Sequence, residues 1–537
     1  MMLLVVNVIT ILTVFLLNKF LFFVPYNLKF IFGYLIFIIV VNLIISYSIC
    51  VYEDNRKDKN KKKSRTYGYI TLGILGALVL LLVFRFFTTG KMVNYKEYRK
   101  LAGEIKQEDF TEDIEIIDIS ELPINNSDLA RNLADKKLGE IPSLGSQVEI
   151  GEFTLQKVNG ELYYVAPLEH TGLFKWMNNK EGTEGYIKVN ATRSNDVELI
   201  TELDGQPVKL KYLKSAYFGS NIERYAYNQN NKYGLTDFSF ELDDNGRPYS
   251  IVSIYDKEVG FSGNKIIGTL IIDVQTGETK EYSVEETPSW VDRIQPKNFI
   301  KKNLNNWGKL VHGTWNFSNK DKLKLTDGVK VIYSGDTCYY YTGVTSVGSD
   351  ESLVGFLLTN SRTGHTSMYK MSGAIESAAM SSAEGKLQQF GYEATWPVLI
   401  NVQSQPTYFM TMLDNKGLIK NYAFVSVKNY NVLGTGESLE QAYNNYIEGL
   451  SKDTSSNLID SSEFIELEGT IERIGMYISN SSSYYMIVIE GNENKFIVPT
   501  EVSNLVAIAE KGDKIKISYI PNTTEVITVK SFENKTK

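Results

Sequence analysis

Three histidines, two cysteines and a few acidic turns are the residues of this 537-residue chain whose chemistry could make a site. His170, His312 and His365 stand far apart, in the contexts EHTG, VHGTW and TGHTS. A transition-metal centre needs imidazoles or thiolates at paired spacing, as in His-Glu-x-x-His or Cys-x-x-Cys, and neither pattern occurs. The sequence therefore proposes no metal ligand and no cofactor-binding residue. Phosphate-loop and nucleophile-elbow patterns are also missing, since Gly260, Ser262 and Gly263 lack the Gly-x-Ser-x-Gly spacing. Cys338, in DTCYYY, could act as a nucleophile only with a histidine beside it in space. As a buried structural thiol it would need none. Asp243, Asp244 and Asn245 could offer oxygen ligands to calcium, but Asn245-Gly246 is also a pair suited to a hairpin turn. The expectation is a chain with no catalytic residue and no enzymatic activity of its own.

The elements that would position any site begin with apolar runs. Residues 67–87 (YGYITLGILGALVLLLVFRFF) carry a single charge, Arg85. At ~1.5 Å rise per residue they can cross a hydrocarbon core about 30 Å thick. Residues 1–24 and 29–51 are similar, interrupted by Asn7, Asn18, Lys19 and Asn42. A short link at Pro25, Tyr26 and Asn27 makes these two antiparallel neighbours, with Lys19 and Lys29 snorkelling to one interface. No basic leader or small-residue cleavage site marks a signal peptide, so three transmembrane helices are expected. Residues 53–65 hold seven basic side chains, which makes that loop cytoplasmic and able to attract anionic lipid. The chain after residue 87 then lies outside the cytoplasm, in a multi-pass protein of the cell membrane.

Charge divides the same way. The first 91 residues carry +8 and the remainder −15, within a total of −7. An acidic soluble region excludes a nucleic-acid surface, which needs a basic footprint. Cys50 and Cys338 leave the soluble part without an internal disulfide, which a core of this size does not require. The abundance of Lys, Asn, Ile and Tyr matches an AT-rich, Gram-positive coding bias.

The soluble part reads as α+β. Residues 92–110 suggest a juxtamembrane helix, and 127–138 a second helix capped by Ser127, with Ala130, Leu133, Ala134 and Leu138 on one face. Hairpin turns follow at Asn159-Gly160, Asp204-Gly205 and Asn245-Gly246, so 92–255 forms a first module. A strand, an Asp-or-Asn-x-x-Thr-Gly turn and a second strand then occur twice, from Gly268 through Asp273, Thr276 and Gly277 to Tyr282, and 87 positions later from Gly355 through Asn360, Thr363 and Gly364 to Tyr369. A helix is expected after each copy: one at Thr287, Pro288, Ser289 and Trp290, the other over 374–390 with Ala378, Ala379, Ala383 and Leu387. Strands at 398–402, 408–413 and 422–427 lead to a capping box, Ser438 with Gln441, which completes repeated modules over 256–450. A polar linker, 451–462, precedes residues 463–537. There, strands at 467–474, 484–489, 495–498, 514–520 and 526–531, with a helical piece at 502–510, suggest a small OB-like β-barrel. Tyr477, Tyr484 and Tyr485 could stack on bases, but basic residues are too few for a nucleic-acid partner. The 34 tyrosines suit half-buried sheets and interfaces alike.

Sheet, Thr-Gly hairpin and amphipathic helix repeated along an extracytoplasmic chain resemble the PepSY-like domains of bacterial exported proteins, over residues 235–450. The resemblance implies a binding or inhibitory role toward peptides or peptidases, without catalysis. The sequence thus reads as a membrane-anchored extracytoplasmic binding or interaction protein, partnered by the lipid bilayer and by an envelope protein, peptide or peptidase. Two alternatives stay open. One is an envelope hydrolase or transferase built from scattered residues, with His170, His312 and Cys338 the first candidates. The other is a structural subunit of a membrane complex, in which Asn7, Asn18 and Asn42 bond partner helices within the bilayer.

Overall fold

The computed structural model describes residues 2–55, 61–110, 114–326, 328–348, 352–452, 465–479, 482–492, 494–499, 502–519 and 526–536. They form two compact units, Met1–Asp113 with Pro123–Ser372, and Ile114–Leu122 with Gly373–Lys537. Both mix helices with antiparallel sheets. Part of the basic loop, residues 56–60, and the linker from residue 453 to 464 lie outside the described residues.

The apolar N-terminal runs are helical over Met2–Leu17, Leu28–Asn55 and Lys61–Thr89. Leu28–Tyr52 and Gly68–Thr89 are long and apolar enough to cross a membrane, with 6% and 0% of their most apolar stretches buried; Val8–Phe22 is a shorter apolar helix. The first helix ends in a widened turn, Asn18–Phe22, and Phe23 adopts a left-handed φ of 50°. Pro25 contributes, because its ring disfavours helical geometry at the residue before it. Asn18 closes the turn: its Oδ1 accepts from Val24 N at 2.7 Å and its Nδ2 donates to Val24 O at 2.8 Å. The same Nδ2 reaches Tyr227 Oη at 3.1 Å, so this asparagine, expected to bond partner helices, is consumed within its own chain. Asn42 likewise donates to Ile38 O of its own helix. Lys29 donates to Asp256 Oδ2 and Lys257 O, each at 2.7 Å.

One pattern, a helix followed by a four-stranded antiparallel meander, occurs four times, and the first, third and fourth sheets add a short extra strand, Val148–Ile150, Leu323–Leu325 and Glu393–Ala394. The helices are Ser127–Gly139, Ile222–Gln229, Lys297–Lys309 and Glu376–Lys386. The second meander, Gly234–Leu242, Pro248–Val259, Ser262–Asp273 and Thr279–Ser283, is the one without an extra strand. A strand face that alternates apolar residues must be covered. Ala130, Ala134 and Leu138 cover Ala166, Leu168 and Ile187 in the first module, and Ile222 and Ala226 cover Val252, Ile254 and Leu270 in the second. The division expected after residue 255 therefore cuts through a strand, because Pro248–Val259 pairs with Ser262–Asp273 in one sheet.

The two Thr-Gly turns of the sequence repeat are bond-for-bond equivalents. Asp273 Oδ1 accepts from Gln275 N and Thr276 N, and Asn360 Oδ1 accepts from Arg362 N and Thr363 N, at 2.8–3.0 Å. Gly277 and Gly364 take φ of 80° and 76°, the left-handed geometry the turn needs.

Three further expectations need correction. The juxtamembrane helix is only Tyr95–Lys100, because Gly103 turns left-handed and the chain continues as a short strand, Lys106–Gln107, pairing in parallel with Ser367 and Met368. The cap of helix Ser127–Gly139 is Asn126, whose Oδ1 accepts from Leu129 N at 2.8 Å, not Ser127. No helix starts at Thr287. The carbonyls of Thr287, Pro288 and Val291 accept from the Arg362 guanidinium instead, and the helix begins at Lys297, after Pro296.

The C-terminal strands Ile465–Ser479, Ser482–Ile489, Lys495–Pro499, Lys514–Tyr519 and Val526–Asn534 close into a barrel in the order first, second, third, fifth, fourth. Ile471, Ile487, Phe496, Val498, Ile517 and Val529 fill it. A short 3₁₀ turn, Asn504–Ile508, stands where a helical piece was expected.

A Cβ added at Gly355 would strike the cross-strand carbonyl of Tyr369. Gly355→Ala should therefore cost roughly 1–3 kcal/mol and lower the thermal midpoint of the detergent-solubilised protein by several degrees. Gly139→Ala, with open space around it, should not lower it.

Candidate functional site

Cys338 sits on the strand Thr337–Ser346, 3% exposed, and burial pushes its thiol up to about 12. A thiol held protonated is a poor nucleophile, and no histidine reaches it. His170 is buried at the end of the strand Glu161–His170, where desolvation lowers its pKa. His312 pairs with Asp321 Oδ2 at 2.8 Å on an exposed loop, and His365 is exposed in the second Thr-Gly turn. These candidates are not brought together. The Asp243 string is a hairpin turn, with Asp243 Oδ1 accepting from Asn245 N and Arg247 N at 2.9 Å. Among the described residues no three His, Cys, Asp or Glu side chains gather as metal ligands.

The convergent chemistry lies elsewhere. A cavity of ≈ 870 Å³ opens in the first unit where three elements meet. Phe22, Phe23, Val24 and Pro25 of the first helical turn form one wall, Glu152, Pro167 and Glu169 of the first module a second, and strand Gly234–Leu242 with Arg293 a third. That strand does not run straight. Its register slips between Thr236 and Ser239, and Asp237 takes a left-handed φ of 56°. A bulge re-aims side chains at a cost of about 1–3 kcal/mol for a non-glycine in that region. Here it turns Asp237 to the cavity while Phe238 joins the apolar cluster under helix Ile222–Gln229.

Burial pushes the Asp237 carboxyl above its usual range, and the Arg293 charge opposes that shift. Asp237 makes no hydrogen bond or ion pair with another described residue. Arg293 is its counterpart. Burial works against its charge, and the fields of Tyr340 and Glu241 more than offset that, holding its pKa above the ordinary value. Its Nε is buried without a hydrogen-bond partner. Of the other charges at the cavity, Glu223 is exposed and makes no ion pair with a described residue, while the rest are engaged. Lys214 Nζ donates to Glu152 Oε2 at 2.6 Å, which holds Glu152 down, and Arg131 donates to the carbonyls of Ile150 and Gly151. Burial raises Glu169, against the pull of Lys214 and a hydrogen bond from Ser215.

Behind this wall runs a buried polar seam. Ser239 Oγ, which faces the cavity, donates to Glu241 Oε1 at 2.8 Å, and Asp292 N donates to Glu241 Oε2 at 3.2 Å. Tyr333 Oη and Lys157 N both donate to Asp292 Oδ2, at 2.8 and 2.9 Å. Such a network fixes the wall that carries Arg293. Sequence reasoning missed Asp237, Glu241 and Arg293. A signal existed in Gly234–Leu242: apolar residues at 238, 240 and 242 keep a period of two, yet the preceding one is Leu235, a slip of one that marks a bulge. Nothing in the spacing points to Arg293.

Glu241 is fully buried and pushed up to about 7, mainly by desolvation. Its folded pKa lies above the unfolded value near 4.5, so folded protein keeps a proton that the unfolded chain has released. That stabilisation is whole below about pH 4.5 and is lost as pH rises through about 7, amounting to about 3 kcal/mol. Denaturant unfolding between pH 5 and 8 should show the wild type losing stability relative to Glu241→Gln, which cannot titrate. Parallel curves would contradict this assignment.

No protein-family model matches the chain, and no curated protein matches it.

Proposed function

We propose that the chain is a membrane-anchored binding protein whose globular part lies outside the cytoplasm, with the cavity beside the Asn18 turn as its binding site. The observation that carries this reading is that both the first helical turn and the end of the third helix dock on the same sheet. Tyr26 N donates to Asn231 O at 2.7 Å, and Phe261 N donates to Thr89 Oγ1 at 3.1 Å. Phe261 also stacks on Phe32 at 3.9 Å and meets Phe84 edge-on at 6.1 Å, so it touches the start of the second helix and the end of the third. Three crossings satisfy this arrangement, with the turn and the globular unit on one side and residues 53–65 on the other. Their seven basic residues make that other side the cytoplasm.

Exposed aromatics flank the helix ends. Trp315 and Phe317, 63% and 81% exposed, lie beside Thr314, which donates to Lys91 O just beyond the third helix. Phe218, 63% exposed, precedes the helix whose Arg224 donates to Phe20 O. Aromatic rings favour the membrane–water interface, where an apolar body meets wet headgroups. The modules within residues 235–450 are the PepSY-like part of this reading, and the barrel, with its third and fifth strands parallel, is its OB-like part. The cavity, with charges that the fold leaves unpaired, favours a binding role over a hydrolase built on His170, His312 and Cys338.

Protease added to intact protoplasts should remove a tag placed after Lys537; survival of the tag until the membrane is opened would overturn the orientation. In nanodiscs containing brominated lipid, part of the tryptophan emission should be quenched, and Trp315→Phe should remove that part. Unchanged quenching in the variant would mean that this loop does not meet the bilayer.

A further inference from the structure

We propose that the cavity binds a small zwitterion, with its oxyanion on Arg293 and its ammonium on Asp237. This rests on the reading of the cavity as a binding site and adds the chemistry of the ligand. The cavity holds two groups of opposite sign, Arg293 and Asp237, that form no ion pair with a described residue. Arg293 has a buried Nε with no partner, and Asp237, itself left-handed in a β-bulge, is an exposed residue of the cavity lining. Asp237 feels the field of Arg293, yet they form no ion pair. A buried guanidinium without an acceptor is costly, and its planar fork matches a carboxylate or a phosphate. The neighbouring charges cannot replace the ligand, because Lys214 is paired with Glu152 and Arg131 with backbone carbonyls.

Ligand charge follows from what remains. A simple anion would satisfy Arg293 and leave Asp237 facing it with like charge. A simple cation would leave the guanidinium empty. A molecule with both groups satisfies both, and the wall of Phe22, Phe23 and Pro25 offers an apolar surface for the rest of it. The volume, ≈ 870 Å³, falls in the range of about 300–1,000 Å³ typical of small-molecule sites. Because that wall is the turn between two apolar helices, the second long enough to cross a membrane, the zwitterion could come from a phosphoethanolamine lipid headgroup or from a free short peptide. Both present an oxyanion and an ammonium.

The test uses the full chain in nanodiscs of phosphatidylglycerol alone, titrated calorimetrically. Glycerophosphoethanolamine or trialanine should bind, and the matching half-ligands should bind at least tenfold more weakly: glycerophosphate and ethanolamine for the first, N-acetyl-trialanine and trialanine amide for the second. Arg293→Gln should abolish the preference for the oxyanion. Asp237→Asn should weaken the zwitterion at least tenfold while leaving glycerophosphate binding unchanged or stronger, a gain that mere unfolding would not give. Binding of the headgroup that is competed by phosphatidylethanolamine in the discs assigns the lipid source; binding of trialanine without that competition assigns the soluble one. Equal binding of whole and half-ligands, lost in a cavity-filling Ser239→Trp variant, would overturn the zwitterion and keep the cavity as a site. Absence of binding by every probe would overturn the proposal outright, while the orientation stands or falls on the protease experiment.

Discussion

The interaction on which the first unit depends is the closure of the Asn18 turn against Tyr227. One carboxamide satisfies Val24 N and Val24 O, and its Nδ2 also reaches the tyrosine hydroxyl, which itself donates to Val24 O at 3.0 Å. An asparagine 2% exposed among apolar residues needs all of these bonds. Together they turn the chain back between two apolar helices and fasten that reversal to helix Ile222–Gln229. The cavity follows from the same contact, since its apolar wall is the reversed segment and its charged wall is the sheet that helix covers.

The architecture beyond this point is economical. A helix and a four-stranded antiparallel meander recur four times, with a short extra strand in three of the sheets, and the first two helices lie over strands that their own modules supply. Local pairing of consecutive strands keeps contact order low within a module, which favours rapid formation of each. Departures from the pattern are where chemistry collects. In the second module the strand Gly234–Leu242 bulges at Asp237, and the loop before helix Lys297–Lys309 carries Arg293 instead of the helix expected there.

Much of this was legible in the chain because it rests on local rules. Apolar runs set the helices, Asn-Gly and Asp-Gly pairs set hairpins, and the paired Thr-Gly turns revealed a duplicated hairpin whose hydrogen bonds match in three dimensions. The capping box is present too, with Gln441 N donating to Ser438 Oγ at 3.1 Å. Where reading failed, a distant residue overrode the local signal. Thr287 and Pro288 look like a helix start, but Arg362, 75 positions beyond Thr287, takes their carbonyls. The charged site was illegible for the same reason: Asp237, Arg293 and Glu241 have no common spacing and meet only through the sheet register. His170, His312 and Cys338 drew notice by residue type alone, and the fold keeps them apart.

The central claim is that the reversal between the first two apolar helices is fastened to the globular unit. With Cys50 and Cys338 replaced by serine, a Tyr26→Cys, Asn231→Cys pair tests it directly, because the Tyr26 amide and the Asn231 carbonyl are 2.7 Å apart. The account predicts a rapid intramolecular disulfide in the native membrane that chemical denaturation before oxidation prevents. Oxidation no faster than that of Tyr26→Cys paired with a cysteine at the distant Asn159 would contradict it.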